Sequence, residues 1–164
     1  MYVLSCRMKA PVPIETAFAV FEDPHNLAAI TPAWLHFRIT TPGRVVIRKG
    51  ARIEYEIRWL GIPISWETII TAYQPPDFFA DEQARGPYKV WRHLHTFEAV
   101  EGGTMITDRV EYALRLGILG KIANSLAVER QLRGIFEYRG KELMRLLQGD
   151  AEDYEFSPVE FTST

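Results

Sequence analysis

"RIEYEIRWL", residues 52–60, alternates almost without fault. Ile53, Tyr55, Ile57 and Trp59 take one face, while Arg52, Glu54, Glu56 and Arg58 take the other. A period of two with one apolar and one charged face is the signature of a β-strand with one wet side. Gly61 and Pro63 in the following "GIP" mark a turn. "ISWETIITAY" (64–73) then returns as the antiparallel partner, with Trp66, Thr68 and Ile70 sharing a face and Glu67 opposed.

The same reading extends outward. "HFRIT" (36–40) is a short strand before this hairpin, and "PPDFFADEQ" (75–83) is one after it. Gly86-Pro87 turns the chain into "YKVWRHLHTFEAV" (88–100), "EGG" (101–103) is a hairpin loop, and "TMITDRVEYAL" (104–114) completes the sheet. At the N-terminal end "YVLSCRM" (2–8) suits an edge strand. Pro13 suits a first helical position, and Ile14, Ala17, Phe18 and Phe21 recur at helical spacing. Asp23-Pro24 ends that helix and opens a second short one to about Ile30.

Beyond the sheet, from Leu119 to Leu147, the pattern turns helical. Val128, Leu132, Ile135, Phe136, Leu143, Leu146 and Leu147 form one stripe. Leu119, Ile122 and Leu126 form another that does not join it smoothly, so a bend or break is expected near 125–129. Gly134 and Gly140 each cost about 1 kcal/mol in a helix interior, which points to a close approach or to room for a ligand. The acidic, aperiodic residues 149–164 are expected to be an unstructured tail behind a single domain over 1–148. The order is α+β: one strand, two short helices, a run of antiparallel strands and a long helix lying across them.

Composition excludes several classes. The formal net charge is -2, with no basic excess to hold a phosphate backbone, so nucleic acid is not an expected partner. The lone Cys6 cannot close an internal disulfide, which fits a reducing compartment. Arg7 and Lys9 interrupt the N-terminal apolar run, so no signal peptide is read there. No apolar stretch approaches the roughly 20 residues of a membrane span. A cytoplasmic location is expected. Oligomeric state is not readable from these residues.

The segments "ITPAWLHF" (30–37), "GIPISWET" (61–68), "PPDFFADEQARGPYKVWRHLHTF" (75–97), "TDRVEYALRLGILGKIA" (107–123) and "IFEYRGKELMRLL" (135–147) carry a resemblance. The chain resembles the START/SRPBCC superfamily, which includes the birch-pollen-allergen-like proteins, over roughly residues 1–147. Within it, the chain is similar to a bacterial subgroup described as cyclase/dehydrase-like or ligand-binding. The resemblance implies a helix-grip fold: a curved antiparallel sheet of about six to seven strands wrapped around a long C-terminal helix, with a cavity between them. The superfamily hosts lipid binders, polyketide cyclases, quinone-binding proteins and co-chaperone domains, so fold alone does not settle function.

The alternation then assigns faces. Trp91, His93, His95 and Phe97 share one face of 90–97; two aromatics bracket the histidines, so this face is placed inward. Ile106, Asp108, Val110, Tyr112 and Leu114 align on the next strand, with Arg109 and Glu111 toward water. Neighbouring strands bring Cβ atoms within about 5 Å, close enough for a His–Asp hydrogen bond. Four readings stand. The His93, His95 and Asp108 group is a satisfied polar core, or the polar end of a mostly apolar ligand pocket. It is the base and its holder in an enzyme, or part of a metal site. Zinc asks for at least three protein ligands, and His25 and His36 lie far off in sequence; no metal and no cofactor are expected.

The favoured expectation is a protein that binds an apolar or aromatic small molecule, lipid-, polyketide- or quinone-like. Its contacts are Tyr55, Ile57, Trp59, Trp66, Thr68, Trp91, Tyr112 and Phe136, with His93, His95 and Asp108 as polar anchors and Arg139 either in the pocket or at the surface. The alternatives are a cyclase-, dehydratase- or hydrolase-type enzyme using the His–Asp pair, and a co-chaperone-like interaction module. Asp81, Glu82, Gln83 and Arg85 read as a solvated strand end or a polar mouth. Residues 22–36 can form a lid, with Trp34 at the entrance or in the core.

Overall fold

A computed structural model describes residues 1–59, 61–115, 127–148 and 155–163. The chain runs β1 (Tyr2–Ala10), α1 (Ile14–Glu22), α2 (Asn26–Ala29), a 3-10 turn (Ala33–Leu35) and β2 (Arg38–Ile39). It continues through β3 (Arg52–Trp59), β4 (Ile62–Gln74), β5 (Phe78–Arg85), β6 (Val90–Val100) and β7 (Gly103–Ala113). It closes with α3 (Glu129–Gln148), β8 (Glu155–Phe156) and β9 (Glu160–Ser163). All nine strands described join one antiparallel sheet in the order β2-β3-β4-β5-β6-β7-β1-β8, with β9 also on β1.

The alternating strands pair as their patterns require. Tyr55 faces Trp66 and Ile53 faces Thr68 across β3 and β4, and the turn between them uses Gly61 at φ +79°, a left-handed conformation that glycine adopts without strain. On β7 the residues Ile106, Asp108, Val110 and Tyr112 are buried and Arg109 is exposed, as period two demands.

Two expectations change at the N-terminal strand. β1 is not an edge: β7 flanks it on one side and β8 and β9 on the other. The tail is correspondingly not unstructured over 155–163, because its backbone caps that open edge, where Val159 is 2% exposed and Phe156 packs into the core. An unpaired edge leaves a row of donors and acceptors free, and covering it is the usual remedy. These two strands also raise the strand count above six to seven. Residues 149–154, the stripe of Leu119, Ile122 and Leu126, and residues 125–126 of the expected bend lie outside the described residues.

Helix α3 buries Leu132, Phe136, Leu143 and Met144. Leu146, expected in that stripe, is exposed, and Met144 takes a buried place instead; the row runs 132, 136, 140, 143–144 and leaves position 146 on its flank. The N-terminal half of α3 packs with Leu4, Cys6, Val110 and Tyr112 of β1 and β7. Its C-terminal half joins Phe18 of α1, Phe79, Phe97 and Ile106. A third cluster gathers Ile47, Ile53 and Ile70 at the far side. The helix thus covers β7 and β1 rather than the middle of the sheet, leaving β3–β6 to face open space. Among the described residues no helix is long and apolar enough to cross a membrane.

The two helix glycines separate cleanly. A Cβ on Gly140 would run into the Phe156 ring, so the first C-terminal strand leans on the helix there, whereas a Cβ on Gly134 meets nothing within 4 Å. Gly134→Ala is therefore expected to stabilise the chain by roughly 0.5–1 kcal/mol through helix propensity. Gly140→Ala, which gains the same propensity, is expected to destabilise it through overpacking, by about 1–3 kcal/mol. Urea unfolding of both variants checks the opposite signs.

Candidate functional site

Between α3, the 20–37 segment and strands β3–β6 lies a cavity of about 510 Å³. One wall is aromatic. Tyr55 and Trp66 stack with centroids 5.8 Å apart, Trp91 meets Trp66 edge-on at 5.3 Å, and Tyr88 lies 4.7 Å from Trp91. The Thr68 hydroxyl holds this wall together: it accepts from Trp66 Nε1 at 3.2 Å and bonds the Tyr55 hydroxyl at 3.3 Å. Burial pushes the Tyr55 and Tyr88 phenols well above their usual pKa, so both stay neutral. Tyr88, which the alternation does not reach, is fixed by Gln83: its Oε1 accepts from Tyr88 N at 3.1 Å and its Nε2 donates to Tyr88 O at 2.9 Å.

Ile57, Trp59, Phe136 and Arg139 line the same hollow, together with His93 and His95. Arg139 is half-buried with its guanidinium 5.1 Å above the Phe136 ring, and its Nε is buried without a hydrogen-bond partner among the described residues. The opposite wall is built by Phe21, Asp23, Leu27, Ile30, Leu35 and Phe37. That segment is tied down locally. Asp23 Oδ1 accepts from His25 N at 2.9 Å and pairs with its ring at 2.8 Å, Asn26 Nδ2 donates to Val20 O at 2.8 Å, and the Tyr73 hydroxyl bonds Glu22. Trp34 is not in the core: the 3-10 turn buries Leu35 and leaves Trp34 50% exposed.

Two expected contacts, Asp108 and Tyr112, are not on the cavity wall. Both sit on the inward face of β7, but α3 packs over that strand and β1 flanks it, leaving Asp108 1% and Tyr112 0% exposed. Tyr112 packs against Tyr2, stacked at 5.4 Å. Asp108 instead stands behind the histidines. His95 is its cross-strand partner, and His95 Nδ1 lies 2.6 Å from Asp108 Oδ1. His93 Nε2 is 3.3 Å from the same oxygen, outside hydrogen-bond alignment.

On the cavity side a residue read from the sequence as part of a solvated strand end or a polar mouth completes the group. Asp81 faces His93 across β5 and β6; its Oδ2 lies 3.5 Å from His95 Nε2 and 3.9 Å from His93 Nδ1. Phe79 stacks on His95 at 4.3 Å, and Phe136 meets His93 edge-on at 5.6 Å. The electrostatics follow from this packing. Burial favours the neutral form of both imidazoles and of Asp108. For His95 the two carboxylates outweigh burial and raise its pKa, while for His93 burial and the neighbouring His95 lower it. The His95 and His93 rings overcome the burial of Asp108 and hold its carboxyl well below the usual range. These directions favour an ion pair between Asp108 and His95 beside a neutral His93. Burial also raises the Cys6 thiol, beside Asp108 on β1, so it is an inert core group.

A curved sheet gripping a C-terminal helix around a hollow defines a helix-grip protein of the START/SRPBCC superfamily. The family described as "Polyketide cyclase / dehydrase and lipid transport" matches residues 10–136, and the chain belongs to it. A comparison with curated proteins finds no sequence match. Among solved structures, TTHA0849 from Thermus thermophilus superposes with TM-score 0.71 at 15% identity, covering 91% of this chain and 99% of that one. Protein Ms6760 from Mycobacterium smegmatis gives TM-score 0.67 at 19% identity, covering 91% and 92%. Ara h 8.0201 gives TM-score 0.58 at 15% identity, covering 88% and 99%. At these identities the likeness is one of fold.

Proposed function

We propose that this chain binds an apolar or aromatic small molecule, lipid-, polyketide- or quinone-like, in the hollow between sheet and α3. The supporting observation is the cavity itself: about 510 Å³, within the roughly 300–1,000 Å³ of small-molecule sites, with an indole-rich wall and polar groups gathered at few places. Burial against Tyr55, Trp66, Tyr88 and Trp91 supplies affinity, while Arg139 and the Asp81 end set orientation. An interaction module of the co-chaperone kind calls for a filled interior, and the hollow counts against it.

A second reading, a cyclase-, dehydratase- or hydrolase-type enzyme, rests on the 2.6 Å His95–Asp108 contact, which fixes a ring in one orientation as a general acid or base requires. Titration with an environment-sensitive apolar dye, 1-anilinonaphthalene-8-sulfonate, followed by competition with a quinone and a fatty acid, tests the first reading. One-to-one binding reversed by a competitor is the expected result; no dye binding at millimolar concentration overturns it. Once a ligand is in hand, His95→Ala separates the two readings: a binder loses affinity modestly, whereas an enzyme keeps its affinity and loses turnover by orders of magnitude.

A further inference from the structure

We infer that Asp81, His93 and His95 form a site for one divalent first-row transition metal, zinc or ferrous iron, at the polar end of the cavity. The ligating atoms of the three lie within 4.8 Å of one another, and all three residues line the hollow. The geometry converges because Asp108 holds the far nitrogen of His95 and lies close to that of His93. With His95 Nδ1 and His93 Nε2 turned to Asp108 Oδ1 at 2.6 and 3.3 Å, the other two nitrogens, His95 Nε2 and His93 Nδ1, turn toward Asp81 Oδ2 at 3.5 and 3.9 Å. A buried carboxylate holding the outer nitrogen of a metal-binding imidazole is the recurrent way such ligands are oriented.

Two imidazole lone pairs and a carboxylate aimed at one point need positive charge between them. A single proton on one ring satisfies one of these contacts; a divalent ion satisfies all three. The charge also balances, since Asp81 and Asp108 together offset an ion of charge two in a place where a net charge is costly. Metal–donor bonds of about 2.0–2.2 Å place tetrahedral ligands about 3.3–3.6 Å apart. The two separations from Asp81, 3.5 and 3.9 Å, lie at or within a few tenths of an ångström of that, and the three ligating atoms all lie within 4.8 Å of one another. Asp81, the least buried of the three at 14% side-chain exposure, has the freedom to close the gap. Two imidazoles and one carboxylate suit zinc or ferrous iron, not magnesium or calcium, which prefer all-oxygen shells. The side facing the hollow carries no fourth protein ligand from this group, so the ion keeps positions open toward whatever the cavity holds.

The test uses the full chain, stripped with a chelator and titrated with Zn²⁺ by calorimetry and with Co²⁺ by visible absorption. The expected result is one ion per chain, cobalt ligand-field bands in the visible region, and no competition from millimolar Mg²⁺. Asp81→Asn, His93→Ala and His95→Ala each weaken Zn²⁺ binding at least a hundredfold, while Glu82→Gln, on the opposite face of β5, leaves it unchanged. Asp81→Asn keeps the test readable if the histidine variants unfold, which circular dichroism reports. Absence of one-to-one binding, or zinc binding that survives Asp81→Asn and His93→Ala, overturns the site. Dye binding to the hollow is read without metal, so a chain that takes the dye and refuses zinc overturns this inference alone.

Discussion

Asp108→Ala is expected to cost roughly 3–5 kcal/mol of folding stability, whereas Glu111→Ala, three residues on, costs less than about 1 kcal/mol. The two carboxylates make contacts of equal length: Asp108 to His95 and Glu111 to Arg109 both measure 2.6 Å. Distance therefore does not separate them; burial does. Asp108 is 1% exposed, so its removal leaves His95 Nδ1 buried without its partner in a medium that cannot solvate it, with Asp81 at 3.5 Å as the nearest remaining carboxylate. Arg109 stays at the surface and finds water when Glu111 is gone. Urea unfolding reads both values, and the Asp108 variant's midpoint temperature should fall by about 6–20 °C for a chain of this length. An Asp108→Ala variant within 1 kcal/mol of the parent shows that no buried ion pair exists at this position.

That contrast also marks where period-two reading succeeds and stops. The alternation over 52–59 carries its own phase, because apolar and charged residues trade places without interruption; over 90–97 both faces are mixed, and the phase comes from Trp91 and Phe97 bracketing the histidines. Both strands face as the pattern says. β5 carries no such phase. Asp81, Glu82, Gln83 and Arg85 put polar atoms on both faces, and the β4–β5 ladder shifts register between Glu67 and Thr68 and again between Ile70 and Ala72. Counting from β4 therefore cannot say that Asp81 turns inward, and Asp81 joins the histidines unannounced. The one available signal is Phe79, two residues earlier, on the inward face.

Depth is a different problem from facing. Asp108 and Tyr112 are inward, as read, yet they lie off the cavity wall because α3 sits over β7 and β1 rather than over the middle of the sheet. Where a helix lands is fixed by contacts between residues more than twenty positions apart, such as Phe136 with Val110, and a local pattern carries none of that. The cover on the β1 edge is more remote still: Ser5 pairs with Glu160. In an acidic, aperiodic stretch, only Phe156, Val159 and Phe161 betray it.

Filling the hollow should separate space from shape. Ile64 lies on the sheet wall and Ile135 on the helix wall, and both are half-buried, so each side chain already borders empty volume. The double variant Ile64→Trp, Ile135→Trp places two indoles into that volume from opposite sides. In a packed core such additions cost about 1–3 kcal/mol each through forced rotamers. Here new apolar contacts form in space that no atom occupies, so stability is expected to stay within about 1 kcal/mol of the parent or to rise. Dye affinity is expected to fall at least a hundredfold, since the ligand must now displace a covalently held competitor from the same surface. Dye titration and urea unfolding on one preparation give both numbers. Affinity retained alongside unchanged stability locates the dye elsewhere on the molecule, and a loss of several kcal/mol in stability shows that the space between Trp66 and Phe136 is closed rather than open.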